Sequence, residues 1–345
     1  MKAFKYIGTF LFVALLYCSS CFSQNNQWRV YNTSNSDIPD NYILSIGIDQ
    51  NDNKWMGTRW GIVKYDGENW IKYSKNSTKE VEYTSIRNIT IDSAGQVWTG
   101  TWGDGMAFLR FPMGNQDDPN AKFKWIYYKE KNSAMPHNVV KAICVDKKGN
   151  KWIGTEEGLL LMEILDWGEG GLRWKTFYTS NSGLPHDAVY NVAVDKFNNK
   201  WIGTFGGGLA KFDGINWTIY DIKNSGLPDN YIISMVIDHE QVLWIGTYSG
   251  GLARFDGTDW KVFKTSNSEL PDNVVYSLAV DTENKLWIGS INSGMASFDG
   301  SIWKTYDIMN SGKPYTVSAI SFDKKGNLWI GTGGGVAVYN EDGIK

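Results

Sequence analysis

The tetrad Trp-Ile-Gly-Thr and its near copies recur seven times, with Trp at 55, 98, 152, 201, 244, 287 and 329. Nothing else in the sequence restricts the fold as sharply, because a fixed period of this length means one small structural unit used repeatedly. The spacings are 43, 54, 49, 43, 43 and 42 residues, so two copies carry insertions. A second Trp opens a short aromatic segment in every unit, at 28, 70, 125, 174, 217, 260 and 303. Of the 17 Trp in the chain, only Trp60, Trp102 and Trp167 fall outside these two series.

The cleanest unit runs from Trp217 to Gly257 and reads as four short β segments joined by turn chemistry. Segment A, Tyr231–Asp238, is rich in Ile and Val; a turn leads to B, the Leu-Trp-Ile-Gly-Thr run. A Gly-rich loop leads to C, and an Asp-Gly corner at 256–257, a strong tight-hairpin signal, leads to D. A polar Asn-Ser-x-Leu-Pro loop returns to the next A. Four-stranded units of this size, seven in number, predict an all-β, seven-bladed β-propeller. No stretch of helical length has a 3.6-residue apolar period, which excludes an α-solenoid. A β-solenoid turn is usually shorter and lacks an Asp-Gly hairpin in every copy. Radial closure also leaves fewer bare sheet edges than an open array.

The ends of the chain predict how the ring closes. The last unit supplies A (Val317–Asp323), B (Leu328–Thr332) and C (Val336–Tyr339) but no D. Trp28–Tyr31 is a spare D strand and is expected to complete the seventh blade. Residues 24–345 are thereby one propeller domain.

Residues 1–23 read as an export signal: Lys2 and Lys5 form a basic start, and Tyr6–Tyr17 is an uncharged apolar run. That run is too short to span a bilayer, which takes about 20 residues. Two processing routes are open. Cleavage after Ser23 releases a soluble protein, whereas Cys21, preceded by two serines, resembles a bacterial lipoprotein acceptor and would carry a lipid anchor. Cys18 stands where that motif usually has Leu. Either route places the domain outside the cytoplasm, as a periplasmic, cell-surface or secreted protein. Cys144 is then the one Cys of the folded part and reads as a buried, inert thiol.

The balance of 34 basic against 37 acidic residues gives a net charge of −3 and excludes a nucleic-acid partner, which needs a concentrated basic surface. A hydrophobic content of 42% with only 8 Pro excludes a mainly disordered chain.

The frame residues have structural readings. The paired Trp are expected to pack between blades, and the Gly of the tetrad to allow neighbouring sheets to approach. The Asp before each A–B turn, such as Asp49, Asp146 and Asp238, is expected to cap that turn through its side chain. The run from Asp49 lacks the carboxylate spacing of a calcium loop.

The pattern N-S-x-L-P-x-N, then D-x-x-G-N-x-W-I-G-T-x-x-G-G-L-x-x-F-D-G, resembles the two-component-regulator propeller repeat over roughly residues 28–345. The resemblance implies a periplasmic sensor propeller. Full-length members place two propellers before an immunoglobulin-like domain, a membrane span and a histidine kinase, and sense glycan fragments. This sequence holds one propeller and none of the later modules, so sensing carries over as an expectation and direct signalling does not. The repeats also resemble those of streptogramin-lyase-type propellers.

Chain direction puts the B–C and D–A loops on one face, around one mouth of the central channel, where a ligand finds a concave surface. Residues that depart from the repeat are not needed by the blade, and they supply the candidate site. In the B–C loops these are Arg59, Trp60, Trp102, Glu156, Phe205, Tyr248 and Asn292; near the start of strand A they are Tyr42, Arg87, Lys141, Tyr190, Tyr231 and Tyr276. Aromatic faces with polar and charged groups between them suit a carbohydrate. Trp60 and Trp102 lie on this face, and Trp167 sits in an insertion expected on the far side.

His137 and His186 occupy one repeat position in adjacent blades, where other copies have Asp40, Asp229 and Asp272. They are the candidates for a second reading, a propeller lyase acting on a polysaccharide or antibiotic. No third His joins them for a zinc site, and no nucleophile elbow or phosphate loop is present. No metal and no cofactor is expected. A third reading is an interaction platform for an envelope or signalling protein.

Overall fold

The structure is a computed structural model and describes residues 27–73, 85–110, 124–166, 171–308 and 315–345. The export signal with Cys21, and Trp167, lie outside the described residues. The chain forms seven four-stranded antiparallel sheets arranged as blades. After β1 (Trp28–Tyr31), blade 1 is β2 (Ile43–Ile48), β3 (Lys54–Thr58), β4 (Gly61–Tyr65) and β5 (Trp70–Tyr73). Blade 2 is β6 (Ile86–Ile91), β7 (Val97–Thr101), β8 (Met106–Arg110) and β9 (Lys124–Tyr128). Blade 3 is β10 (Val140–Val145), β11 (Lys151–Thr155), β12 (Gly158–Asp166) and β13 (Gly171–Phe177). Blade 4 is β14 (Val189–Val194), β15 (Lys200–Thr204), β16 (Leu209–Phe212) and β17 (Trp217–Tyr220). Blade 5 is β18 (Ile232–Ile237), β19 (Leu243–Thr247), β20 (Leu252–Phe255) and β21 (Trp260–Phe263). Blade 6 is β22 (Val275–Val280), β23 (Leu286–Ser290), β24 (Met295–Phe298) and β25 (Trp303–Tyr306). Blade 7 is β26 (Val317–Phe322), β27 (Leu328–Thr332), β28 (Gly335–Tyr339) and, out of sequence order, β1.

Strand β1 closes the ring, pairing antiparallel with β28 from Trp28↔Tyr339 to Tyr31↔Val336. The Trp28 ring lies 4.6 Å from that of Tyr339. No described helix is long and apolar enough to cross a membrane.

The core is a set of clusters, each wedged between two adjacent blades. One joins Trp201 and Leu209 of blade 4 to Ile232 and Ile245 of blade 5, with Leu227 of the intervening loop. The tetrad explains why blades fit together. A Cβ on Gly246 would stand 2.5 Å from the carbonyl oxygen of Val275 in the next blade, so only glycine allows this approach. The tetrad Thr closes the B–C loop, as where Thr247 Oγ1 donates to the Gly251 carbonyl at 2.8 Å.

The A–B Asp does more than cap its turn. Asp238 Oδ1 accepts the backbone N–H of Glu240 and of Val242, as a cap requires. Its Oδ2 accepts the indole N–H of Trp244 at 2.9 Å. The same indole bond recurs at Trp55, Trp98, Trp152, Trp201, Trp287 and Trp329. In three blades a buried Lys from the neighbouring blade joins it. Lys54 reaches Asp323 at 3.5 Å, Lys151 reaches Asp92 at 3.1 Å and Lys200 reaches Asp146 at 3.9 Å. Cys144 lies in β10, and burial pushes its thiol up to about 11.

Candidate functional site

The inner strand of every blade carries an irregularity at one place. Between its first and third residues the register against strand B shifts by one, so the second residue has no cross-strand partner. Such a bulge re-aims the side chain it leaves out of the ladder. Around the ring the bulge residues are Leu44, Arg87, Lys141, Tyr190, Ile233, Tyr276 and Ser318. All seven line one cavity of about 380 Å³ in the channel mouth. Beneath them Ile46, Ile89, Met235, Leu278 and Ile320 give the same cavity an apolar floor.

The loops around this mouth are stitched together by backbone bonds. Gly105 N–H of a B–C loop donates to Asn138 of the following D–A loop at 2.8 Å, and Tyr248 N–H donates to Tyr231 at 2.9 Å. The B–C and D–A loops therefore share one face.

Within that face, blades 2 to 5 hold a continuous arc of rings and cations. The Arg87 guanidinium lies over the Trp102 ring at 4.5 Å, and Lys141 Nζ over the same ring at 3.8 Å. Lys141 also lies over Tyr190 at 4.3 Å, donates to its hydroxyl at 3.2 Å and pairs with Glu156 at 3.0 Å. Burial lowers the Lys141 ammonium below its ordinary value, although Glu156 pulls the other way. Burial raises the Tyr190 phenol, with the Glu156 charge acting in the same direction. Tyr190 stacks on Phe205 at 4.5 Å, and Phe205 meets Tyr231 and Tyr248 edge-on at 4.8 and 5.9 Å. Tyr276, in blade 6, lies close enough to act electrostatically on both Lys141 and Tyr190.

Other candidate residues stand apart from the cavity. Arg59 grips Asp40 through two bonds of 2.7 and 2.9 Å, with its guanidinium 3.7 Å from the Tyr42 ring centre. Burial by itself raises the Asp40 carboxyl, but Arg59 and the Tyr42 amide outweigh it and hold the carboxyl below its usual range. Trp60 is exposed beside this pair. Asn292 is tied to Thr316, whose hydroxyl donates to its side-chain oxygen at 2.9 Å.

The inner-strand set read from the sequence thus mixes two positions. Tyr42 and Tyr231 precede their strands, and the bulge residues of blades 1 and 5 are Leu44 and Ile233. Leu44, Ile233 and Ser318 were missed by looking for chemically active residue types. A constant offset finds them, since each bulge residue stands 11 positions before its tetrad Trp.

His137 and His186 take over the job that Asp does elsewhere. Their Nδ1 atoms accept the backbone N–H of Val139 and Ala188 at 3.1 and 3.0 Å. Asp229 does the same for Tyr231 at 3.0 Å. Neither imidazole bonds to an acid, a base or a nucleophile among the described residues. No group of three or more His, Cys, Asp and Glu is placed to hold a metal ion among them either.

Comparison with known proteins agrees with this architecture. The two component regulator propeller family matches residues 226–249, 269–292 and 311–334, one segment in each of the last three blades. These three segments carry the two-component regulator propeller repeat. No curated protein sequence matches it. Among solved structures it is similar to the extracellular domain of a B. thetaiotaomicron protein assigned as a hybrid two-component system. The identity is 22% and the TM-score 0.75, over 92% of this chain and 41% of that one. The propeller therefore spans about two fifths of that domain. Virginiamycin B lyase of Staphylococcus aureus is similar at 13% identity and a TM-score of 0.68, over 90% of this chain and 98% of that one. PorZ, a surface component of the type-IX secretion system of Porphyromonas gingivalis, is similar at 17% identity and a TM-score of 0.67, over 90% and 48%. At these identities the likeness is one of fold.

Proposed function

We propose that this regulator-type propeller is an exported, non-enzymatic sensor module that binds an extracellular glycan at the channel mouth bounded by the B–C and D–A loops. One observation carries the reading. Among the described residues the strongly exposed aromatic rings are Tyr42, Trp60, Trp102, Phe197, Tyr231 and Tyr248, and all but Phe197 surround this mouth. Exposed apolar surface gathered in one place marks an interaction site. Flat rings offer stacking surfaces to sugar C–H faces, and the polar groups between them suit hydroxyls.

Export rests on the N-terminal signal, and the partner that would receive the information is an envelope or signalling protein. The lyase reading needs a base set against a partner, and His137 and His186 instead serve their own loops. Calorimetry against a panel of oligosaccharides tests the proposal. A saccharide that binds wild type and loses at least about tenfold in affinity in W102A and Y248A supports it. Failure of every saccharide to bind overturns it.

A further inference from the structure

The charges around the mouth do not balance locally. Arg59 is neutralised by Asp40 and Lys141 by Glu156. In blades 5 and 6 the loop carboxylates accept serine hydroxyls and keep their charge: Ser249 donates to Asp229 at 2.8 Å, and Ser293 to Asp272 at 3.0 Å. Arg87 has no such partner. No carboxylate pairs with it among the described residues, and its buried Nε reaches no hydrogen-bond acceptor. A buried donor left without an acceptor is costly, and a guanidinium is a costly group to leave so.

Geometry and sequence bring this cation to one place. The bulge of β6 puts Arg87 on the wall of the cavity, and its guanidinium lies over Trp102. A guanidinium held against a ring keeps its N–H edges for in-plane acceptors, the fork that fits a carboxylate or sulfate. In blades 3 and 4, the sector beside Arg87, the loop Asp of other blades is replaced by His137 and His186. That exchange removes two negative charges where an anion would approach. The chain as a whole is acidic, at −3, and the positive feature of the mouth is Arg87 itself, a cation with no carboxylate partner among the described residues.

We propose that the ligand of this mouth carries an anionic group, a carboxylate or a sulfate, seated against the edge of Arg87, with a sugar ring on Trp102. The inference rests on the glycan reading above for the sugar and on Arg87 for the charge. It makes Arg87 the residue that selects acidic over neutral saccharides.

The test is calorimetry at fixed ionic strength with an oligogalacturonate, a sulfated chondroitin disaccharide and a neutral galacto-oligosaccharide. Wild type is expected to bind one of the acidic probes at least about tenfold more tightly than the neutral one. The two acidic arms identify which anion is read. R87M is expected to erase that preference, and R87K, which keeps the charge but not the fork, to retain part of it. A neutral probe that binds as well as the acidic ones, or an R87M variant with its preference intact, overturns the proposal. If no saccharide binds, the glycan reading falls, and the anion site is judged by quenching of Trp102 fluorescence, taken as wild type minus W102F. Stronger quenching by iodide than by caesium, abolished in R87M, keeps the anion site. Equal quenching by the two ions overturns it.

Discussion

Replacing Asp92 by Asn changes one atom and should nevertheless cost the fold a large part of its stability. Asp92 Oδ1 accepts the backbone N–H groups of Ala94 and Gln96, each at 3.0 Å, and Oδ2 accepts Trp98 Nε1 at 2.9 Å. Lys151 of the next blade brings its ammonium to 3.1 Å from the same Oδ2. Trp98 is fully buried and Lys151 is only 2% exposed. An Asn that keeps its oxygen on the turn must point its NH2 at two further donors. The orphaned indole N–H costs about 1–3 kcal/mol. Lys151 keeps its bond to the Gly149 carbonyl at 2.8 Å but loses the charge of Asp92. Breaking a buried pair from one side costs about 3–5 kcal/mol in total. Urea denaturation should therefore show D92N destabilised by about 3–5 kcal/mol with an unchanged m-value. The double variant D92N/K151M removes the buried cation that faced Asp92 and should recover part of the loss. A D92N protein within about 1 kcal/mol of wild type would refute the view that this node ties blade 2 to blade 3.

Three further outcomes follow from the frame. Gly246→Ala forces a methyl to within 2.5 Å of the Val275 carbonyl oxygen and should lower stability by at least about 1–3 kcal/mol, whereas Gly257→Ala meets open space and bears only the strain of a φ of +103°. A differential scan that ranks the two the other way would refute the inter-blade contact as the reason for the tetrad glycine. Deleting β1 from the full chain leaves the edge of β28 unpaired, so size-exclusion chromatography should show self-association together with a lowered melting temperature; a monomer that melts with wild type would refute closure by that strand. At Asp323, burial raises the carboxyl but bonds from Asn327 and Trp329 overcome it and leave the group below its ordinary value. A depressed carboxyl stabilises the fold above about pH 4 and loses that contribution as pH falls through the lower folded value. D323N should flatten the acid limb of the stability curve, and an unchanged limb would count against the assignment.

Much of this architecture is legible in the sequence because each blade repeats the evidence. Seven copies of the tetrad fix the strand order within a blade, and a missing final D strand beside a spare Trp28–Tyr31 states the closure. What single copies conceal is the partner of a side chain. The A–B Asp looks like an ordinary turn cap, since Asp favours turns for local reasons. Its second oxygen is satisfied by an indole, six residues away in every blade. The constant offset was visible, but local turn chemistry already accounted for the Asp and left nothing to explain. The buried lysines were hidden for another reason. Lys54, Lys151 and Lys200 stand at a strand position where other blades have Val97, Leu243, Leu286 and Leu328, and only the neighbouring blade shows what receives their charge.

The site was less legible because a bulge is a fact of register and leaves no mark in residue type. Tyr42 and Tyr231 looked like the counterparts of Arg87 and Tyr190, being aromatic and close to a strand start. The ladder instead hands the corresponding places to Leu44 and Ile233. This displacement has a physical consequence for how such a protein acquires specificity. A residue inside the ladder must fit a neighbour on each side, and the tetrad positions accordingly read almost alike from blade to blade. The bulge residue faces the channel and has no cross-strand partner, so its identity is free of the demands of the blade. Around the ring it reads Leu, Arg, Lys, Tyr, Ile, Tyr and Ser. Seven nearly identical blades therefore present six different kinds of side chain to one cavity. The two cations stand side by side in blades 2 and 3, and that adjacency makes Arg87 the first position at which to look for what the channel mouth recognises.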